Sequence, residues 1–124
     1  MRPSASTRAF TPALAWAAVV WIVGGLDNTP SVPAGLALDK LAHFAMYGFL
    51  GWLLGRGWSS AHRPARGWLI AAALLLGLAD EARQALNPRR SAEAADFAAD
   101  AAGVIAGFSF ALRGRRRVPH DMEP

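Results

Sequence analysis

The apolar run GWLIAAALLLGLA at residues 67–79 passes without a break into DEARQALNPRRSAEAADFAAD at residues 80–100, and a second apolar run, AAGVIAGFSFAL, follows at residues 101–112. No other feature restricts the fold as much. The flanking runs are rich in alanine, leucine and glycine, which suits helices packed closely in lipid. Asp80, Glu81 and Gln84 continue the first of these helices, and Asp96 and Asp100 begin the second. Ionisable groups in such positions are costly unless they pair, so this stretch is where function is to be sought.

The rest of the chain repeats the layout. Residues 9–26 carry no charge and approach the ~20 residues of a spanning helix. Pro12 suits a first helical turn, and Gly24 and Gly25 suit a C-terminal end. Residues 39–58 open on a polar turn and are otherwise mainly apolar, and Asn87-Pro88 stops the helix that begins near residue 67. Alternation of period two is absent, so strands are not expected. The expected fold is all-α, a four-helix transmembrane bundle in residues 1–112, with helices at about 9–26, 39–58, 67–86 and 94–112. Residues 113–124 then form a basic, disordered tail. For the first helix the alternative is a cleaved signal peptide, with Arg2 and Arg8 as its positive start and Val32-Pro33-Ala34 as its cleavage site.

Charge placement sets the orientation. The net charge of +4 comes from twelve arginines and one lysine set against nine acids. The segments before the first helix, between the second and third, and after the fourth hold Arg2, Arg8, Arg56, Arg63, Arg66, Arg113, Arg115, Arg116 and Arg117. With four spans these segments share one side, which the excess of positive charge makes cytoplasmic. Topology therefore accounts for the basic balance, and membrane lipids rather than nucleic acid are the expected partners. Cysteine is absent, which excludes a disulfide framework, a thiol nucleophile and a thiolate metal site.

Both polar clusters, residues 39–43 and 80–100, then lie at the same, extracytoplasmic end of the bundle. Asp39, His43 and Tyr47 recur every four residues and share a helix face, with Lys40 beside them. Asp80 and Gln84 share a face of the third helix, and Asp96, Asp100, Gly103 and Gly107 form a stripe on the fourth. Asp80 lies ~20 Å along its helix, inside the outer leaflet of a ~30 Å hydrocarbon layer. Lys40, Arg83, Arg89, Arg90 and His43 are the candidate partners of Asp80, Glu81 and Asp100. The GxxxG pairs Gly51/Gly55 and Gly103/Gly107 allow the second and fourth helices to close up and bring His43 near Asp100. One connected polar cluster of Lys40, His43, Asp80, Glu81, Gln84, Arg90, Asp96 and Asp100 is expected, fed by positive groups from other helices or the third loop. A metal site drawn from His43, Glu81, Asp96 and Asp100 has no supporting ligand spacing, so no metal or cofactor is expected, and His43 reads as a hydrogen-bonded interior histidine. Asp39 and Asp96 also suit helix N-termini, where negative charge is favourable.

DKLAHFAMYGFLG at 39–51, DEARQ at 80–84, PRRS at 88–91 and the D-x3-D-x2-G-x3-G pattern at 96–107 together resemble the VanZ-like family of small bacterial integral membrane proteins. That family shows Asp-Lys-x-x-His-Phe, Asp-Glu-x-x-Gln, an Arg-Ser/Thr turn and then Asp-x-x-x-Asn-x-x-Gly, in this order. Asp100 departs from the pattern by standing where Asn is usual. The resemblance implies a place in the bacterial cytoplasmic membrane, and the charge placement puts both termini on its cytoplasmic side. It also implies a link to glycopeptide (teicoplanin-type) antibiotic resistance or to the cell envelope. The resulting expectation is a module that binds a lipid-linked or amphiphilic ligand, such as a lipoglycopeptide, through Asp39, Lys40, His43, Tyr47, Asp80, Glu81, Gln84, Arg90, Ser91, Asp96 and Asp100. The alternative is an intramembrane enzyme acting on a lipid or cell-wall precursor, with Asp80 or Glu81 as acid/base and His43 as partner. A small proton-relaying transporter is a third class, and the pattern leaves room for an oligomer.

Overall fold

A computed structural model describes residues 4–26, 37–61, 65–88 and 93–115. Its elements are α1 (Ala5–Gly24), α2 (Ala37–Ser60), α3 (Arg66–Ala85) and α4 (Ala94–Arg115). No strand occurs among the described residues. The all-α reading holds, with shifts of a few residues at the helix ends. α1 begins at Ala5 because the Ser4 hydroxyl oxygen accepts the Thr7 amide at 3.1 Å, an N-cap that precedes the uncharged run. Pro12 consequently lies inside the helix rather than in its first turn. α4 continues three residues beyond the expected end, so Arg113 belongs to the helix and not to a tail. Residues 116–124 lie outside the described residues.

Glycines set the tightest contact, between α2 and α4. A Cβ added at Gly51 would come within 2.8 Å of the Val104 Cα, and one at Gly55 within 2.7 Å of the Ala111 Cβ. From the other side, a Cβ at Gly103 would meet the Phe44 carbonyl and, at 2.9 Å, the Gly48 nitrogen, and one at Gly107 would meet the Gly48 carbonyl. Both GxxxG pairs therefore allow backbone to touch backbone, and this is the most extensive helix pair in the molecule. α1 docks on α2, where the Trp16 indole N–H donates to the Met46 carbonyl at 2.9 Å and its ring meets Phe49 edge-on. At the far end of the bundle the Arg56 and Arg66 guanidinium groups lie over Trp52 and Trp58, at 5.0 and 5.2 Å from the ring centroids.

Burial runs opposite to that of a water-soluble domain. Asp80, Glu81, Gln84, Asp96 and Asp100 are buried, whereas Leu14, Ile22, Trp68, Leu75, Leu78, Ile105 and Phe110 face outward, Trp68 at 78% exposure. Charged side chains are seldom fully buried in water-soluble folds unless paired, and an apolar exterior of this kind costs nothing in lipid. Among the described residues two helices, α1 and the segment Ala94–Gly114 of α4, are long and apolar enough to cross a membrane.

Candidate functional site

The C-terminal ends of α1 and α3 and the N-terminal ends of α2 and α4 meet at one end of the bundle, and the charged side chains gather there. His43, one helical turn beyond Asp39, reaches across the glycine seam to α4, where its Nδ1 lies 2.8 Å from the Asp100 Oδ1. Asp100 is 1% exposed. The Lys40 ammonium donates to the Glu93 carboxylate at 2.8 Å and to the Asp96 carboxylate at 3.3 Å. It holds the exposed Glu93 carboxyl below its ordinary range, chiefly through that hydrogen bond. The Glu93 amide donates in turn to the Glu81 Oε2 at 3.3 Å, which links α3 to the start of α4.

Asp80 pairs with Arg83, one of its candidate partners, but from three residues along the same helix and not from another helix or the third loop, where the positive groups were expected to originate. The Arg83 Nη2 also donates to the Trp21 carbonyl of α1 at 2.7 Å, and the guanidinium lies 3.8 Å from the Trp21 ring centroid. Gly24 and Gly25 make room for this. A Cβ at Gly24 would come within 2.7 Å of the Asp80 Oδ2, and one at Gly25 within 2.8 Å of the Arg83 Nη1. The two glycines thus serve a close approach as well as ending α1.

Of the residues expected to form the site, Lys40, His43, Glu81, Asp96 and Asp100 come together, with Asp39 at the exposed edge and Tyr47 buried beneath. Gln84 is buried on α3, and Asp80 is drawn toward α1. Arg90 and Ser91 lie outside the described residues. Arg83 and Glu93 were not among the expected ligand-binding residues. The i, i+3 spacing from Asp80 was the available signal for Arg83, and for Glu93 it was the lone lysine, which needs a carboxylate within reach.

Four buried atoms of this layer have no hydrogen-bond partner among the described residues: the Tyr47 hydroxyl, the Glu81 Oε1, the Arg83 Nε and the Asp100 Oδ2. Asp100 Oδ2 faces α3, where a Cβ on Gly77 would lie 3.2 Å from it and 3.5 Å from the Tyr47 ring. One ligand atom from each of His43, Glu81 and Asp100 falls within 4.8 Å of the others, and the same holds for Asp39, His43 and Asp96. Among the described residues the layer is acidic, with Asp39, Asp80, Glu81, Glu93, Asp96 and Asp100 set against Lys40, Arg83 and His43.

No curated protein and no solved structure matches the chain. A family model described as VanZ/LLP1 matches residues 1–114, which takes in the first three helices, all of α4 but its last residue, and every charged residue of the layer. A chain matched over so much of its length, with the Asp-Lys-x-x-His, Asp-Glu-x-x-Gln and Asp-x-x-x-Asp segments converging on one layer, belongs to the VanZ/LLP1 family.

Proposed function

We propose that the chain is a four-span protein of the bacterial cytoplasmic membrane, with both termini cytoplasmic, whose charged layer receives the polar head of a lipid-linked or amphiphilic ligand. The outward-facing apolar side chains of α1, α3 and α4 support the spanning reading, and the positive charge of the segments at the opposite end supports the orientation. The observation that carries the ligand reading is the set of unsatisfied buried atoms on Tyr47, Glu81 and Asp100. Each such group costs about 1–3 kcal/mol, and more where it is charged. An occupant that hydrogen-bonds them recovers this cost. Two of the three are carboxylate oxygens, which only accept, so the occupant brings donors or positive charge: sugar hydroxyls, a peptide amine or a bound cation. Family membership makes a cell-wall lipid precursor or a lipoglycopeptide antibiotic the ligand classes of first interest.

Protein extracted together with its surrounding membrane, followed by mass spectrometry of the lipids retained, tests this. The parent should retain a lipid with a sugar or peptide head group above its abundance in the membrane. Tyr47→Phe, which removes one hydroxyl while leaving the ring packed, should retain less of it. Bulk phospholipid alone, in equal amounts from both proteins, would refute the reading.

The His43–Asp100 pair also favours a second reading, an intramembrane enzyme, because a carboxylate on a ring nitrogen is how a general base is oriented. The Arg83 pairing takes Asp80 out of that role and leaves Glu81 as its acid/base. Conversion of the retained lipid by the parent, lost in Glu81→Gln, distinguishes catalysis from binding.

A further inference from the structure

His43, Glu81 and Asp100 come from three different helices, and one ligand atom of each lies within 4.8 Å of the other two. Glu81 is 7% exposed and Asp100 1%, and each carboxylate has one oxygen without a partner among the described residues. The bonds His43 Nδ1–Asp100 Oδ1 and Glu93 N–Glu81 Oε2 account for only the other oxygen of each. Two half-satisfied buried carboxylates flanking an imidazole form a donor set that a single cation would complete.

We propose that these three side chains bind a divalent first-row transition-metal ion. The His43 Nδ1 and Asp100 Oδ1 atoms are hydrogen-bonded to each other at 2.8 Å, so an ion that took both would replace the proton they share. Two bonds of about 2.0–2.1 Å at a right angle place their ligands about 2.9 Å apart. One imidazole with two carboxylates suits Mn²⁺, Fe²⁺ or Zn²⁺ better than the all-oxygen ions Mg²⁺ and Ca²⁺. The competing set of Asp39, His43 and Asp96 is the poorer one, since the Lys40 ammonium already occupies the Asp96 carboxylate and Asp39 is exposed. Three protein ligands leave further coordination positions open. The ion also changes what the layer can hold. A cluster of carboxylates repels a phosphate, whereas a dication with open positions binds one, so the site would accept a lipid-linked phosphate oxygen. That last step rests on the head-group reading proposed above, but the ion site itself does not.

Titration of the purified full chain with Mn²⁺ after chelator treatment, followed by electron paramagnetic resonance, tests the site with the metal alone. The parent should bind one Mn²⁺ per chain, with nitrogen hyperfine coupling from the imidazole, and Zn²⁺ should displace it. Glu81→Gln keeps the side-chain shape but removes a charged ligand, and should weaken binding by more than the ~100-fold that losing an outer-shell partner costs at most. His43→Gln should abolish the nitrogen coupling, and Asp39→Asn should leave binding unchanged. Circular dichroism and gel filtration establish that each variant is folded. Should His43→Gln fail to fold, the nitrogen coupling in the parent and the weakened binding of Glu81→Gln still decide the question. A folded parent that binds neither Mn²⁺ nor Zn²⁺ stoichiometrically would overturn the proposal, as would binding that survives Glu81→Gln and disappears in Asp39→Asn. Lipid retention measured on the same metal-free samples keeps the two readings apart. Retained lipid without metal binding overturns the ion site alone, and metal binding without retained lipid overturns the head-group reading alone.

Discussion

Adding one methyl group at Gly103 should damage both the fold and the site, while the same change at Gly114 of the same helix should damage neither. The Gly103 Cβ would meet the Phe44 carbonyl and lie 2.9 Å from the Gly48 nitrogen, where ordinary contact begins at 3.4 Å. Those atoms are backbone, so the helices themselves must move apart by about 0.5–1 Å, and overpacking of this kind costs about 1–3 kcal/mol. A Cβ at Gly114 meets nothing within 4 Å. The gain in helix propensity, up to about 1 kcal/mol in a helix interior, is larger at Gly103 than at Gly114 next to the helix end, so it works against the expected difference and does not create it. Gly103→Ala should therefore unfold about 1–3 kcal/mol more easily than Gly114→Ala, as read from thermal unfolding in one detergent by circular dichroism. Asp100 is one turn from Gly103, so the same separation would lengthen the His43–Asp100 contact from 2.8 Å past hydrogen-bonding range. Nitrogen NMR of the His43 ring reports this directly. Equal melting of the two variants with an unchanged ring signal would show that the seam does not hold the helices or the site.

Three further outcomes are expected. Arg83→Ala strands the buried Asp80 carboxylate and removes the clamp on the Trp21 carbonyl, at a cost of about 3 kcal/mol; adding Asp80→Asn should restore part of it in detergent melts, and no restoration would show that the stranded charge is not the cause. Because Lys40 lowers the Glu93 carboxyl, that pairing is complete above the ordinary glutamate value of about 4.3 and is lost as pH falls through the lowered one. Melting of the parent should therefore drop more steeply below about pH 4 than that of Glu93→Gln, and identical acid limbs would contradict it. Reporter fusions at Ser60 and Val118 should be active only for reporters that work in the cytoplasm, and an external signal from either would reverse the orientation.

The four helices and the seam between α2 and α4 were legible in the sequence because both depend on local or periodic features. Uncharged runs of helical length, Asn87-Pro88 as a stop and glycines four apart carry their meaning wherever the chain goes. The meeting of His43 with Asp100 followed from the same periodicity, since the glycine stripes fix which faces touch. Helix ends were less legible: α4 runs on through Arg113, and the Ser4 cap starts α1 early, because one hydrogen bond at that terminus outweighs average composition.

Partner choice was decided only by the tertiary structure. Several bases lay within plausible reach of Asp80, and the i, i+3 spacing of Arg83 was a signal that did not by itself exclude the others. Arg83 takes the role because α1 ends against α3 on two glycines, leaving the Trp21 carbonyl and ring where one guanidinium can bond both and still hold Asp80. Glu93 likewise joins Lys40 to Glu81 through its side chain and its amide, a bridge that exists only once α2, α3 and the start of α4 share one layer. Sequence periodicity places a residue on a face, but pairing energies depend on ångström-scale distances between atoms of different helices, and packing alone sets those.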